Sequence, residues 1–186
     1  MSNLTKQSIK IPYNVSVKLK NNLLFIEGPL GTKTLKLLLK IVFNQNKNEI
    51  VVTDECIPEL TKKKKIKPKI LQGSLHSIIK QVVLGLSVGF RKQLNIVGVG
   101  YKAHMEFDKN ILILKLGYSH QIFIKIPKSI KINCIKPTKI SIFGDNKQAV
   151  NELAAVIRAY KIPEPYKGKG ILYQNERINK KEGKRS

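Results

Sequence analysis

Leu71-Gln72-Gly73-Ser74-Leu75-His76-Ser77-Ile78-Ile79-Lys80-Gln81-Val82-Val83-Leu84-Gly85-Leu86 decides the fold. Its apolar residues Leu71, Leu75, Ile78, Ile79, Val82, Val83 and Leu86 step by four, three, one, three, one and three. That is the stripe of an amphipathic helix, and Gly85 and Gly89 mark its end. Upstream the period changes to two. Val15, Val17 and Leu19 alternate with Ser16, Lys18 and Lys20, as in a half-buried strand. Asn21-Asn22 is a hairpin turn into a second strand at residues 23–26, and Gly28-Pro29-Leu30-Gly31 is the next turn. Thr34, Leu35, Leu37 and Leu39 continue as strand material, and residues 50–53 make a further short strand.

Downstream the same order recurs. Leu94, Ile96 and Val97 lead into Gly98-Val99-Gly100, followed by strand patterns at residues 101–107 and 111–115 around an Asp108-Lys109-Asn110 turn. Ile122, Ile124 and Ile126 alternate, and residues 139–143 close the set. Asp145 with Gln148 three residues on has the capping-box pattern, opening a helix that buries Ala149, Val150, Leu153, Ala154 and Ile157 and that Pro163 stops. Strands then helix, twice over, predicts an α+β chain of two similar tandem domains. Each is a small, mostly antiparallel sheet that needs its helix as a cover. The expected division is 1–89, 90–165 and a basic tail at 166–186.

The 35 Lys and Arg against 12 Asp and Glu give a net charge of +23 over 186 residues. Such a charge repels itself in the folded state and draws polyanions, of which nucleic acid is the foremost. An anionic membrane or a crowded acidic partner fits the charge as well. Arginine appears only as Arg91, Arg158, Arg177 and Arg185. Lysine meets phosphate as a point charge, whereas bidentate reading of guanine favours arginine, so backbone and shape recognition are expected over base readout. Abundant Lys, Ile and Asn also suit an AT-rich genome. The apolar runs are far shorter than the ~20 residues a membrane span needs. The first 26 residues carry Lys6, Lys10, Lys18 and Lys20 without an acid, but Pro12 and the strand alternation read as folded domain and not as a presequence.

Chemistry-bearing constellations are sparse. Gly98-Val99-Gly100 continues as strand where a dinucleotide loop needs a helix, and Gly168-Lys169-Gly170 lacks the spacer and hydroxyl of a nucleotide-phosphate loop. His76, His104 and His120 are scattered, and Cys56 and Cys134 stand apart, so no metal site, cofactor site or catalytic triad is expected. The chain reads as a non-enzyme without a small-molecule substrate.

Two stretches concentrate the charge. Residues 61–69, with Lys62, Lys63, Lys64 and Lys65, read as an extended surface loop that is either solvated or a secondary RNA contact. Residues 158–186 hold nine basic residues against Glu164, Glu176 and Glu182, too polar to pack a core alone, and are expected to order on a partner. Within them runs Arg158-Ala159-Tyr160-Lys161-Ile162-Pro163-Glu164-Pro165-Tyr166-Lys167-Gly168-Lys169-Gly170. Its prolines hold the chain extended, its glycines admit another surface and its lysines bracket that surface with charge. An ordinary helix exit would use the same residues.

That run resembles the signature of the bacterial-type large-subunit ribosomal protein six family. Gly28-Pro29-Leu30-Gly31, Val97-Gly98-Val99-Gly100-Tyr101, Leu116-Gly117-Tyr118-Ser119-His120 and Lys181-Glu182-Gly183-Lys184 are similar to family segments as well. The resemblance implies two α/β domains and a protein that binds large-subunit rRNA near the translation-factor region, chiefly through its C-terminal domain and tail. By matching position, Arg158, Lys161, Tyr166, Lys167, Gly168, Lys169 and Gly170 inherit rRNA contacts, with Arg177, Lys180, Lys181 and Lys184 of the tail beside them. It implies neighbouring ribosomal proteins as partners and translation factors as indirect ones. His76 stands where the family usually has arginine, which would weaken a phosphate contact there. The composition suggests a mitochondrially encoded version, with a plastid or a bacterial cytoplasm as the alternative, and a free regulatory RNA-binding protein is the competing function.

Overall fold

In the computed structural model, which describes residues 8–44, 48–56 and 68–182, the first unit starts with the short strand β1 (Ile9–Lys10). Strand β2 (Ser16–Lys20) then turns into β3 (Leu23–Gly28) through Asn21 and Asn22, whose φ angles of 47° and 61° make the two-residue turn that the strand twist requires. Strand β4 (Gly31–Lys36) returns across Pro29-Leu30, giving a β2-β3-β4 meander. The run expected to continue to Leu39 breaks at Leu37, which is buried with its N–H donating to the Asn22 carbonyl at 2.9 Å. Strand β5 (Leu39–Asn44) then pairs with β6 (Glu49–Cys56) in a separate sheet of order β1-β6-β5.

Helix α1 (Pro68–Ser87) packs on β3 and β6. It opens at a proline, whose missing N–H costs nothing in the first turn, so Pro68 and Lys69 belong to the helix and not to the expected loop. The rest of that loop, with Lys62, Lys63, Lys64 and Lys65, lies outside the described residues. Leu75, Ile79, Val82, Val83 and Leu86 form the expected buried stripe with Leu24, Ile26, Leu39, Ile50 and Val52. Ile78, at the margin of that stripe, is exposed.

His76 is the surprise in this helix. It is buried, and its Nε2 has no hydrogen-bond partner among the described residues. An unpaired buried nitrogen of this kind costs about 1–3 kcal/mol. His76→Leu is therefore expected to raise the stability of the first unit by about 1 kcal/mol in urea unfolding, and to leave RNA affinity unchanged.

In the second unit, β7 (Phe90–Val97) is followed by the meander β8 (Lys102–Glu106), β9 (Ile111–Lys115) and β10 (Ile122–Lys125). Strands β11 (Ile130–Lys136) and β12 (Lys139–Gly144) lead to helix α2 (Lys147–Ala159). The α2 N-cap is Asn146 and not Asp145: the Asn146 Oδ1 accepts from the Gln148 N–H at 3.0 Å. The second sheet has the order β11-β12-β7-β13, with β13 (Gly170–Tyr173) on the edge beside β7.

The chain divides into two α+β units, Met1–Gly89 and Phe90–Ser186, each with one core. Among the described residues each unit holds two small antiparallel sheets where one was expected. The reason is geometric: among the described residues one helix, about 10 Å across, faces six strands in the first unit and seven in the second, more than it can cover. In the second unit Ala103, Met105, Leu112, Leu114 and Ile124 of the meander close the same core as Val150, Ala154 and Ile157 of α2. No helix among the described residues is long and apolar enough to cross a membrane.

Candidate nucleic-acid interface

Residues 158–182 were expected to order only on a partner, and they are instead folded into the second unit. Ile171 is fully buried in the core and Leu172 nearly so, and Gly170, Ile171, Leu172 and Tyr173 pair with Val97, Ile96, Asn95 and Leu94. The signal was present as the apolar Ile171-Leu172-Tyr173 run, outweighed by the charge around it.

Arg158, expected to meet phosphate, pins this segment to the helix. Its Nη2 and Nε donate to the Glu176 carboxylate at 2.6 and 3.2 Å, and its guanidinium lies 5.3 Å from the centre of the Tyr173 ring. Lys92 Nζ sits 4.7 Å from the same ring, and the Tyr173 N–H donates to Glu176 Oε2 at 3.0 Å. The Arg158 hydrogen bond is the main cause holding the Glu176 carboxyl below its usual range, against the opposing effect of burial, and it raises the Arg158 guanidinium in turn. A depressed carboxyl stabilises the fold above the unfolded value near ~4.3, and that contribution fades as the pH falls through the lower native value. Glu176→Gln is therefore expected to cost about 1–2 kcal/mol at pH 7. The gap to the parent chain should narrow as the pH falls below the usual carboxylate range, as read by urea unfolding at each pH.

Gly168 and Gly170 are buried. The surface that Gly170 approaches is the chain's own Ile162–Pro163 backbone. Around it residues 164–169 form a tight turn: the Gly168 N–H donates to the Glu164 carbonyl at 3.1 Å and the Glu164 N–H to the Lys169 carbonyl at 3.0 Å. The Lys181 N–H donates to the Pro165 carbonyl at 2.9 Å, and the Lys180 side chain lies beside Gly168. Two segments twelve or more residues apart thus meet.

Their meeting leaves Tyr166, Lys167, Lys180 and Lys181 exposed on a shared rim, with Arg177 exposed nearby in the same segment. Lys161 and Lys169 are half-buried. Lys184 lies outside the described residues. A rim of flexible ammonium groups on a rigid turn neutralises phosphates without reading bases. Arg91 is likewise occupied internally, its Nε donating to Ser141 Oγ at 2.8 Å. Sequence reasoning placed the charge in this region and missed which cations the fold consumes, because the partners Glu176 and Ser141 are far away in the chain.

No cluster of three metal-ligating side chains occurs among the described residues. Cys134 is a free, half-buried thiol that burial pushes up, away from the reactive thiolate.

The profile of the Ribosomal protein L6 family matches residues 97–174, the stretch from the end of β7 through β13. A large ribosomal subunit protein uL6 from Mycoplasmoides gallisepticum is 44% identical over 99% of this chain and 97% of its own length. One from Chloroherpeton thalassium is 42% identical over 99% and 98%. The uL6m protein of Reclinomonas americana is 41% identical over the whole of both chains.

Proposed function

Because the chain belongs to the large ribosomal subunit protein uL6 family, we propose that it binds large-subunit rRNA through the exposed basic rim of its second unit and braces the folded RNA in the subunit. It is a structural ribosomal protein and not an enzyme. The observation that carries the reading is the junction of the 164–169 turn with residues 178–181, which sets Lys167, Lys180 and Lys181 on a fixed surface beside the exposed Tyr166 ring. Each phosphate met there releases condensed counterions, which drives binding without sequence readout.

The rRNA it braces lies near the translation-factor region, so its influence on factor GTPase activity is indirect: it supports the RNA surface and supplies no catalytic group. Neighbouring large-subunit proteins complete the partner set. Lys62, Lys63, Lys64 and Lys65 supply a secondary RNA contact. The Lys-, Ile- and Asn-rich composition favours a mitochondrial ribosome over a plastid or bacterial one.

Co-sedimentation of the full, tagged chain in cell and organelle extracts tests this. It is expected with large subunits, in the mitochondrial fraction, and resistant to moderate salt. A chain that stays at the top of the gradient would instead be a free regulatory RNA binder.

A further inference from the structure

A second feature of the same unit has chemistry that phosphate neutralisation does not use. Where β9 passes to β10, Tyr118 leaves the turn with its hydroxyl donating to the Tyr160 carbonyl at 2.9 Å, at the end of α2. Its ring stacks on His120, with centroids 6.0 Å apart and planes 20° from parallel, and Lys161 Nζ lies 4.4 Å from the Tyr118 ring centre. The tyrosine is thus held at its hydroxyl and its ring, yet it remains 44% exposed. Phe123 and Tyr160 are 62% and 40% exposed.

These rings line a cavity of about 390 Å³ together with Gln121 and Ile122. A second cavity, of about 550 Å³, is also lined by Tyr118 and Tyr160, and in addition by Lys161, Lys169 and Glu164. The one carboxylate in this set is already engaged, since Glu164 Oε1 accepts from the Lys167 N–H at 3.3 Å. Tyr118 is therefore a wall shared by an aromatic compartment and a cationic one. A flat apolar ring with an anion attached matches both halves. An apolar peptide side chain would fill the first and leave the lysines without an anion.

We propose that this cleft takes a single unpaired nucleotide of the large-subunit rRNA, its base against Tyr118, His120 and Phe123 and its phosphate against Lys161 and Lys169. The inference rests on the rRNA-binding reading above and adds a base-stacking contact to it. Gln121 at the cavity edge offers both a donor and an acceptor to the base, and stacking itself accepts any base.

The test is base-specific chemical modification of purified large-subunit rRNA, free and bound to the full chain. The wild-type chain should protect a discrete unpaired base. Phe123→Ala removes an exposed ring outside the core. It should restore modification of that base and lower affinity on the order of tenfold, while the backbone footprint elsewhere persists. Tyr118→Leu should do the same, and Tyr118→Phe, which keeps the ring, should retain protection. Circular dichroism of each variant separates loss of the fold from loss of the contact. If rRNA binds but protection is the same in all variants, the cleft does not take a nucleotide and the rRNA reading survives. If wild-type chain does not bind rRNA at all, both fall.

Discussion

Removing residues 166–186 is expected to unfold the second unit, whereas removing only residues 177–186 leaves it folded and weakens its hold on RNA. The longer cut takes β13 from the edge of the sheet and with it the buried Ile171 and Leu172, each worth about 1.5–3 kcal/mol of burial. It also strands Arg158, whose carboxylate partner Glu176 goes with the strand. Against a domain stability of roughly 5–15 kcal/mol, a loss of about 5 or more leaves little cooperative fold. The shorter cut keeps β13 and Glu176 but removes Arg177, Lys180, Lys181, Lys184 and Arg185. Thermal unfolding should shift by no more than a few degrees, and rRNA affinity at physiological salt should fall on the order of tenfold. Thermal unfolding and filter binding of the two truncations distinguish these outcomes. A longer truncation that unfolds as cooperatively as the intact chain would show the strand to be dispensable.

Gly170→Ala is the single substitution expected to be most damaging. With φ at 144°, Gly170 occupies backbone space that side chains avoid. A Cβ there would stand 2.6 Å from Pro163 Cα, 2.8 Å from Pro163 N and 2.9 Å from the Ile162 carbonyl oxygen. All three are backbone atoms and cannot swing aside, so the strand must part from the chain before it. We expect a loss of about 3 kcal/mol or more and a fall in Tm of more than about 10 °C. Gly100→Ala is the control, since φ is 75° there with nothing within 4 Å of the added carbon. It should cost only the conformational strain, about 1 kcal/mol. Equal effects at the two sites would mean that the close packing on Pro163 does not bear on stability.

Periodicity made most of the architecture legible. The α1 stripe, the Asn21-Asn22 hairpin and the alternation around Ile122 and Ile124 are local patterns, and the corresponding elements form. Ile130, Ile132 and Cys134 alternate with Lys131 and Asn133 in the same way, and β11 could have been read from them. What escaped was long-range. Charge density around residues 166–182 masked a strand whose justification is a slot beside β7, and no local window contains that slot. The same blindness explains Arg158 and Gly170. The sequence shows a cation and a flexible residue in an RNA-binding signature, and the fold gives one to Glu176 and the other to Pro163. His76 is the reverse case, a polar residue within an apolar helix stripe that the fold buries without a partner.

The +23 is thus divided between cations that hold the protein together and cations left over for a polyanion. The division is measurable. Binding of the full chain to purified large-subunit rRNA, followed over a range of salt, reports how many phosphates it neutralises. Replacing the exposed Lys167, Arg177, Lys180 and Lys181 together by alanine should reduce the salt slope by about three, without a change in Tm. An unchanged slope in a folded variant would place the RNA elsewhere and contradict the account.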